Sequence, residues 1–219
     1  MKQQCVIFDM DGVICHTNPD HAKAFGAFFD KYQIPHSEKE FEDHMYGKHN
    51  GYIMSHFFNR PIIGEELKKL EDEKELMFRE IYKDKVETIP HYLEFLAALK
   101  AHAFKTAVAT SAPRANLDLI ISALNIADKM DSMMSSEDVT AHKPNPEVYL
   151  KSAERVGVTP ADCVVFEDSF SGVTAAINAG MKVVGVLSSH TKEELPPCNF
   201  YINDYSEVNV NKILDLLKG

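Results

Sequence analysis

The segment "CVIFDMDGVICHT", residues 5–17, ends an apolar run in two carboxylates, Asp9 and Asp11, which Gly12 follows at once. Two like charges this close raise each other's proton affinity, so the pair costs stability unless a cation or a reaction uses it. The apolar run before it is continuous rather than alternating, which fits a strand buried on both faces of a parallel sheet. Gly12 lets the backbone turn sharply after the second aspartate.

Similar runs recur at 105–110 ("KTAVAT"), 131–136, 163–168 ("CVVFED"), 182–187 and, more weakly, 200–204. Helical patterns separate most of them, at 91–102, 114–125, 146–157, 171–180 and 210–219. Strand and helix alternating in this way predict an α/β chain with crossover units and a parallel sheet. One interval breaks the rhythm: residues 18–88 hold no strand pattern and are rich in helix formers. That is too long for a loop, so the reading is a helical subdomain, 18–88, inserted into a core made of 1–17 and 89–219, with hinges near Thr17 and Ile89-Pro90. The charge run of 65–85 reads as a solvated helix face.

The 219 residues, 45% of them hydrophobic, suffice for one large domain or a domain with an insertion. Cys5, Cys15, Cys163 and Cys198 are far apart and form no C-x-x-C pair, so neither a disulfide framework nor a zinc ribbon is suggested. No apolar stretch has the length of a signal peptide or a membrane span, and a cytoplasmic protein is expected. A formal charge of −10 and a pI near 5.4 disfavour nucleic acid as a partner. The histidines His36, His44, His49 and His56 are scattered through the insertion and do not suggest zinc. Cys15 and His16 are read as hinge packing.

In an open parallel sheet, ligands bind beyond the carboxyl ends of the strands. Asp9, Thr110 and the pair Glu167-Asp168 fall at such ends on three different strands. A carboxylate cluster at one sheet edge suits Mg²⁺, which binds a few oxygens and shares the phosphate of a substrate.

Four motifs in order, "DMDGV" (9–13), "VATSAPR" (108–114), "HKPNPEVY" (142–149) and "FEDSFSGVTAAINAGM" (166–181), resemble those of the haloacid dehalogenase superfamily, in its phosphatase and β-phosphoglucomutase-like branch. The resemblance implies an α/β fold, a Rossmann-like parallel sheet core with an inserted helical cap subdomain. It further implies Mg²⁺-dependent hydrolysis of small phosphate esters, sugar phosphates among them, through an aspartyl phosphate. Asp9 would then be the nucleophile and Asp11 the general acid and base. Thr110, Ser111 and Lys143 would hold the phosphate, and the metal would be bound by Asp9, the main-chain carbonyl of Asp11 and Asp168. Glu167 is left open between ligand and support, and Lys143 beside "PNP" also reads as a surface lysine.

In the insertion, His21 and Lys74 resemble the cap histidine and lysine of β-phosphoglucomutase, and would reach Asp11 or substrate oxygens. Read blandly, they are a helix-face histidine and an exposed helix lysine. Asn50 takes the position of the mutase arginine that grips a distal phosphate, and an amide lacks that charged fork. Lys48, His49 or Arg114 remain as substitutes. The expected partner is a small phosphorylated metabolite, with neither nucleic acid nor membrane, and a monomer is expected. Mutase-type transfer is the second reading and a catalytically silent binding domain the third. A dehalogenase would not need the metal cluster.

Overall fold

The computed structural model describes residues 2–45 and 50–218. In chain order the elements are β1 (Cys5–Phe8), α1 (Asn18–Lys31), α2 (Glu38–His44), α3 (Asn50–Phe57), α4 (Gly64–Tyr82), α5 (Tyr92–Ala101), β2 (Lys105–Ala109), α6 (Arg114–Leu124) and β3 (Ser132–Met134). There follow α7 (Glu147–Val156), β4 (Cys163–Glu167), α8 (Phe170–Asn178), β5 (Lys182–Val186), β6 (Phe200–Ile202) and α9 (Val210–Lys218). Two compact units result, one of Met1–His16 with Val86–Gly219 and the other Thr17–Lys85.

The first unit is built on a six-stranded sheet in the order β3-β2-β1-β4-β5-β6. Every pairing is parallel. Because crossovers from β1 run toward β2 and those from β4 toward β6, the order reverses between β1 and β4, and a crevice opens there beyond the carboxyl ends. Phe8 lies level with Val108 on one side and Phe166 on the other, so Asp9, Ala109 and Glu167 stand abreast at that edge.

Alternate residues of the central strands bury opposite faces. On one face Cys5, Ile7, Ala107 and Val165 pack against Val148, Tyr149 and Ala153 of α7 and Val173 and Ala176 of α8. On the other, Phe8 meets Tyr92 at 5.1 Å and Tyr205 at 6.2 Å between ring centroids, and Phe95 lies 5.5 Å from Phe166. The chain leaves and re-enters this unit side by side. Ile89 N–H donates to Ile14 O at 2.8 Å, and Tyr205 ties both strands, its hydroxyl on Val13 O and its N–H on Pro90 O, each at 3.1 Å.

The second unit is helical. Phe25, Phe28 and Phe29 of α1 join Ile53, Met54 and Phe57 of α3 and Leu70 of α4 in one core, with Phe29 stacked on Phe57 at 4.4 Å. α4 carries the solvated face read in the sequence, with Glu65, Glu66, Lys68, Lys69, Asp72 and Glu80 exposed, but two of its charges depart from it: Lys74 and Glu75 are buried, as are Leu70, Phe78 and Tyr82. The spacing of 70, 74, 78 and 82 is one helix face, and it lies inside the charge run because Lys74 and Glu75 neutralise each other as an ion pair.

Candidate active site

β1 delivers Asp9 to the sheet edge, where its N–H donates to Phe166 O at 3.0 Å and fixes it to β4. Lys143 reaches the same point from the loop before α7. Its ammonium donates to Asp9 Oδ1 at 2.6 Å, Glu167 Oε1 at 2.7 Å and Ala109 O at 3.1 Å. The lysine is therefore no surface residue: its side chain is 4% exposed. Burial opposes its charge, but Asp9 and Glu167 outweigh that and hold its pKa up. Burial pushes the Asp9 carboxyl up to about 8, with Lys143 opposing and the charges of Glu167 and Asp11 adding to it. One ammonium thus serves two buried carboxylates, and Asp9 is the one left short of positive charge.

Glu167 is saturated. Oε1 accepts from Lys143 and from the Tyr149 hydroxyl at 2.8 Å, while Oε2 accepts from Asp168 N–H, Ser169 N–H and Ser169 Oγ at 2.9–3.0 Å. Despite burial, Lys143 and these donors keep its pKa below the ordinary value. Gly172 in the first turn of α8 is required beside it, since a Cβ there would stand 1.6 Å from Glu167 Oε1.

Asp168 differs. Ser189 and, at 3.4 Å, Ser188 approach Oδ2, and among the described residues no donor reaches Oδ1. Burial, then the charges of Glu167 and Asp9, push its pKa well up. Oxygens of Asp9, Glu167 and Asp168 lie within 4.8 Å of one another. Three buried carboxylates against one ammonium, with one oxygen of Asp168 turned to no donor, fit a divalent cation.

The turn after Asp9 wraps around Met10 O, which accepts from Ile14 N–H at 2.9 Å, and Gly12 takes φ +72°. Asp11, half-buried, bridges to Cys15 in this turn, and its carboxylate is not among the three clustered ones. Thr110 is buried at the end of β2, with N–H on Met134 O at 3.0 Å and Oγ1 accepting from Ala112 N–H at 3.0 Å. Ser111 beside it is exposed. Arg114 is engaged within its own unit: its guanidinium pairs with Asp138 and its N–H donates to Glu137 at 2.9 Å.

Within the helical unit, His21 and Lys74 come together. The His21 ring stacks on Phe78 at 3.7 Å, and Lys74 Nζ lies 3.4 Å from His21 Nδ1, 4.4 Å from the Phe25 ring centroid, and against Glu75. Lys74 is 1% exposed, so the reading as an exposed helix lysine fails. Asn50 Nδ2 donates to Glu75 Oε1 at 3.1 Å, so this position meets a carboxylate. Lys48 and His49 lie outside the described residues.

Residues 6–186 match the family model described as haloacid dehalogenase-like hydrolase. The chain belongs to that family. Within this hydrolase family it lies in the phosphatase and β-phosphoglucomutase-like branch. It is 33% identical over 191 residues to the phosphorylated carbohydrates phosphatase of Thermotoga maritima, covering 85% of this chain and 86% of that one. A family IA, variant 3 hydrolase of Entamoeba histolytica superimposes over 100% of both chains with a TM-score of 0.92 at 27% identity. A putative β-phosphoglucomutase of Thermotoga maritima does so over 99% of both with a TM-score of 0.73 at 29% identity.

Several residues around this site have roles that a reading of motifs does not give. Tyr149, the last residue of "HKPNPEVY", holds Glu167 although it looks like one more apolar helix position. Ser188, Ser189 and His190, whose Nδ1 lies 2.9 Å from Asp168 O, come from the loop after β5. That loop is also the carboxyl end of a strand, and the rule that singled out Asp9 and Glu167-Asp168 applies to it equally.

Proposed function

We propose that this chain is a Mg²⁺-dependent phosphatase that hydrolyses small phosphate esters, sugar phosphates first, through an aspartyl phosphate on Asp9. The observation that carries the reading is the group of Asp9, Glu167 and Asp168 within 4.8 Å, of which Asp9 and Glu167 share the ammonium of Lys143. Lys143 holds Asp9 Oδ1, so Oδ2 is the oxygen presented to phosphorus; attack forms the O–P bond as the ester oxygen leaves. Asp11 would give that oxygen its proton and then take one from the water that hydrolyses the phosphoenzyme. Lys143, Thr110 and Ser111 would hold the non-bridging oxygens. When bound, Mg²⁺ would offset the repulsion between substrate phosphate and carboxylates and the charge that develops in transfer. Asp9, Asp168 and the main-chain carbonyl of Asp11 would hold it. Glu167, with both oxygens taken by donors, would support Lys143 and the loop instead.

Residues 18–88 would be the cap that selects the substrate. Asn50, whose amide is turned to Glu75, offers no fixed cation for a second phosphate, which favours hydrolysis over mutase transfer. The name of the Thermotoga relative supports sugar phosphates as the class. A reducing compartment such as the cytoplasm fits four free cysteines, three of them buried.

Phosphate release from p-nitrophenyl phosphate and a panel of sugar phosphates, followed with chelator and after Mg²⁺ is restored, tests the reading. Turnover should vanish and return. Undiminished release in chelator would overturn it, and conversion of β-glucose 1-phosphate to the 6-phosphate faster than phosphate release would make mutase transfer the function.

A further inference from the structure

We propose that Ser188 and Ser189 are positioning residues that tie the carboxylate of Asp168 to the loop after Asp11 and so set the geometry of the cation site. The inference rests on the Mg²⁺ reading given above. Gly12 and Asp168 belong to loops from different strands, yet a Cβ on Gly12 would fall 2.0 Å from Asp168 Oδ2 and 2.9 Å from Ser188 Oγ. The Ser188 hydroxyl has one proton, and it goes to Gly12 O at 2.5 Å. Ser189 Oγ stands 3.4 Å further on and donates to Asp168 Oδ2. The result is a bridge through the loop after β5 itself: Ser188 fastens that loop to the main chain beside Asp11, and Ser189, its neighbour in the chain, fastens it to the carboxylate of Asp168.

The bridge has a directional consequence. Among the described residues, both hydroxyls that approach the Asp168 carboxylate do so at Oδ2. Rotation about the Cβ–Cγ bond is thereby restrained with Oδ1 presented. A carboxylate held in this way loses less freedom on binding a cation, and outer partners of metal ligands typically contribute about 10–100-fold to affinity.

The test is calorimetric titration of the whole chain with Mg²⁺ in the absence of substrate, alongside thermal unfolding in chelator. Ser189→Ala should raise the Mg²⁺ Kd about 10-fold or more, and Ser188→Ala should raise it by a smaller factor. Ser189→Thr, which keeps a hydroxyl, should restore most of the loss, and melting in chelator should stay close to wild type. With saturating Mg²⁺, kcat should fall less than the affinity does. An unchanged Kd in Ser189→Ala, where wild type binds Mg²⁺, would overturn this inference alone. So would a metal-free melting temperature that drops in step with the affinity and is not recovered by threonine. A wild-type protein that binds no Mg²⁺ would overturn the Mg²⁺ reading and this inference with it.

Discussion

Gly172 shows how tightly the residues around Glu167 constrain one another. Its missing side chain is what lets Glu167 turn back onto Ser169 and Lys143, because a methyl group would overlap Oε1 at 1.6 Å. Gly172→Ala should therefore displace the carboxylate, taking from Tyr149 its acceptor and from Lys143 one of two carboxylate partners, with Asp9 retained. Breaking a buried ion pair on one side costs on the order of 3–5 kcal/mol, and displacing a buried carboxylate from its donors belongs in or just below that range. Urea unfolding should read a loss of that size, and a change below about 1 kcal/mol would mean that Glu167 can relax elsewhere. At this scale the motif residues Asp9, Lys143, Glu167 and Asp168 were legible because each sits at a strand end or in a motif beside one. Tyr149, Ser188 and Ser189 were not, since a hydroxyl that serves a carboxylate has no spacing of its own. The alternative reading of Lys74 as an exposed helix lysine failed for a related reason: charge in a sequence says nothing of a partner such as Glu75, which lets it be buried.

The strands were legible as elements because β1, β2, β4 and β5 are buried on both faces and so are written as unbroken apolar runs. β3 and β6, with three residues each, were the weaker or shorter parts of longer runs. The opposite end of the sheet from the site is fastened by Asp131, which accepts from Lys100 at 2.7 Å, Lys105 at 2.8 Å and Thr106 N–H at 3.0 Å. Burial works against its charge, but these donors hold its carboxyl down at about 2, below the ordinary 3.8. A depressed folded pKa stabilises the fold fully above the ordinary value and loses that contribution as pH falls through the folded one. Asp131 should thus contribute on the order of 1–2 kcal/mol near neutral pH, allowing for screening of the lysines, and lose it between about pH 4 and 2. Asp131→Asn should be less stable than wild type at pH 7 and nearly equal at pH 2. A stability difference that does not depend on pH in that range would assign the effect to packing rather than charge.

For the molecule as a whole, membership in the hydrolase family was legible because four motifs, spread from residue 9 to residue 181, converge on one sheet edge. The metal and the substrate were less so. The same acidic chain, at −10 formal charge, must bring an anionic ester to a nest of carboxylates. Only local cations can offset that field, and among the described residues of the three-carboxylate group Lys143 is the one ammonium in contact. Hydrolysis through a phosphoenzyme would therefore depend on Asp9 as the group that bonds to phosphorus. Quenching the enzyme during turnover with borohydride, which reduces an aspartyl phosphate to homoserine, and mapping the change by mass spectrometry tests this directly. Homoserine should appear at position 9, only with substrate and Mg²⁺, and be absent from Asp9→Asn, which should not turn over. Homoserine at another carboxylate, or steady turnover by Asp9→Asn, would contradict the account.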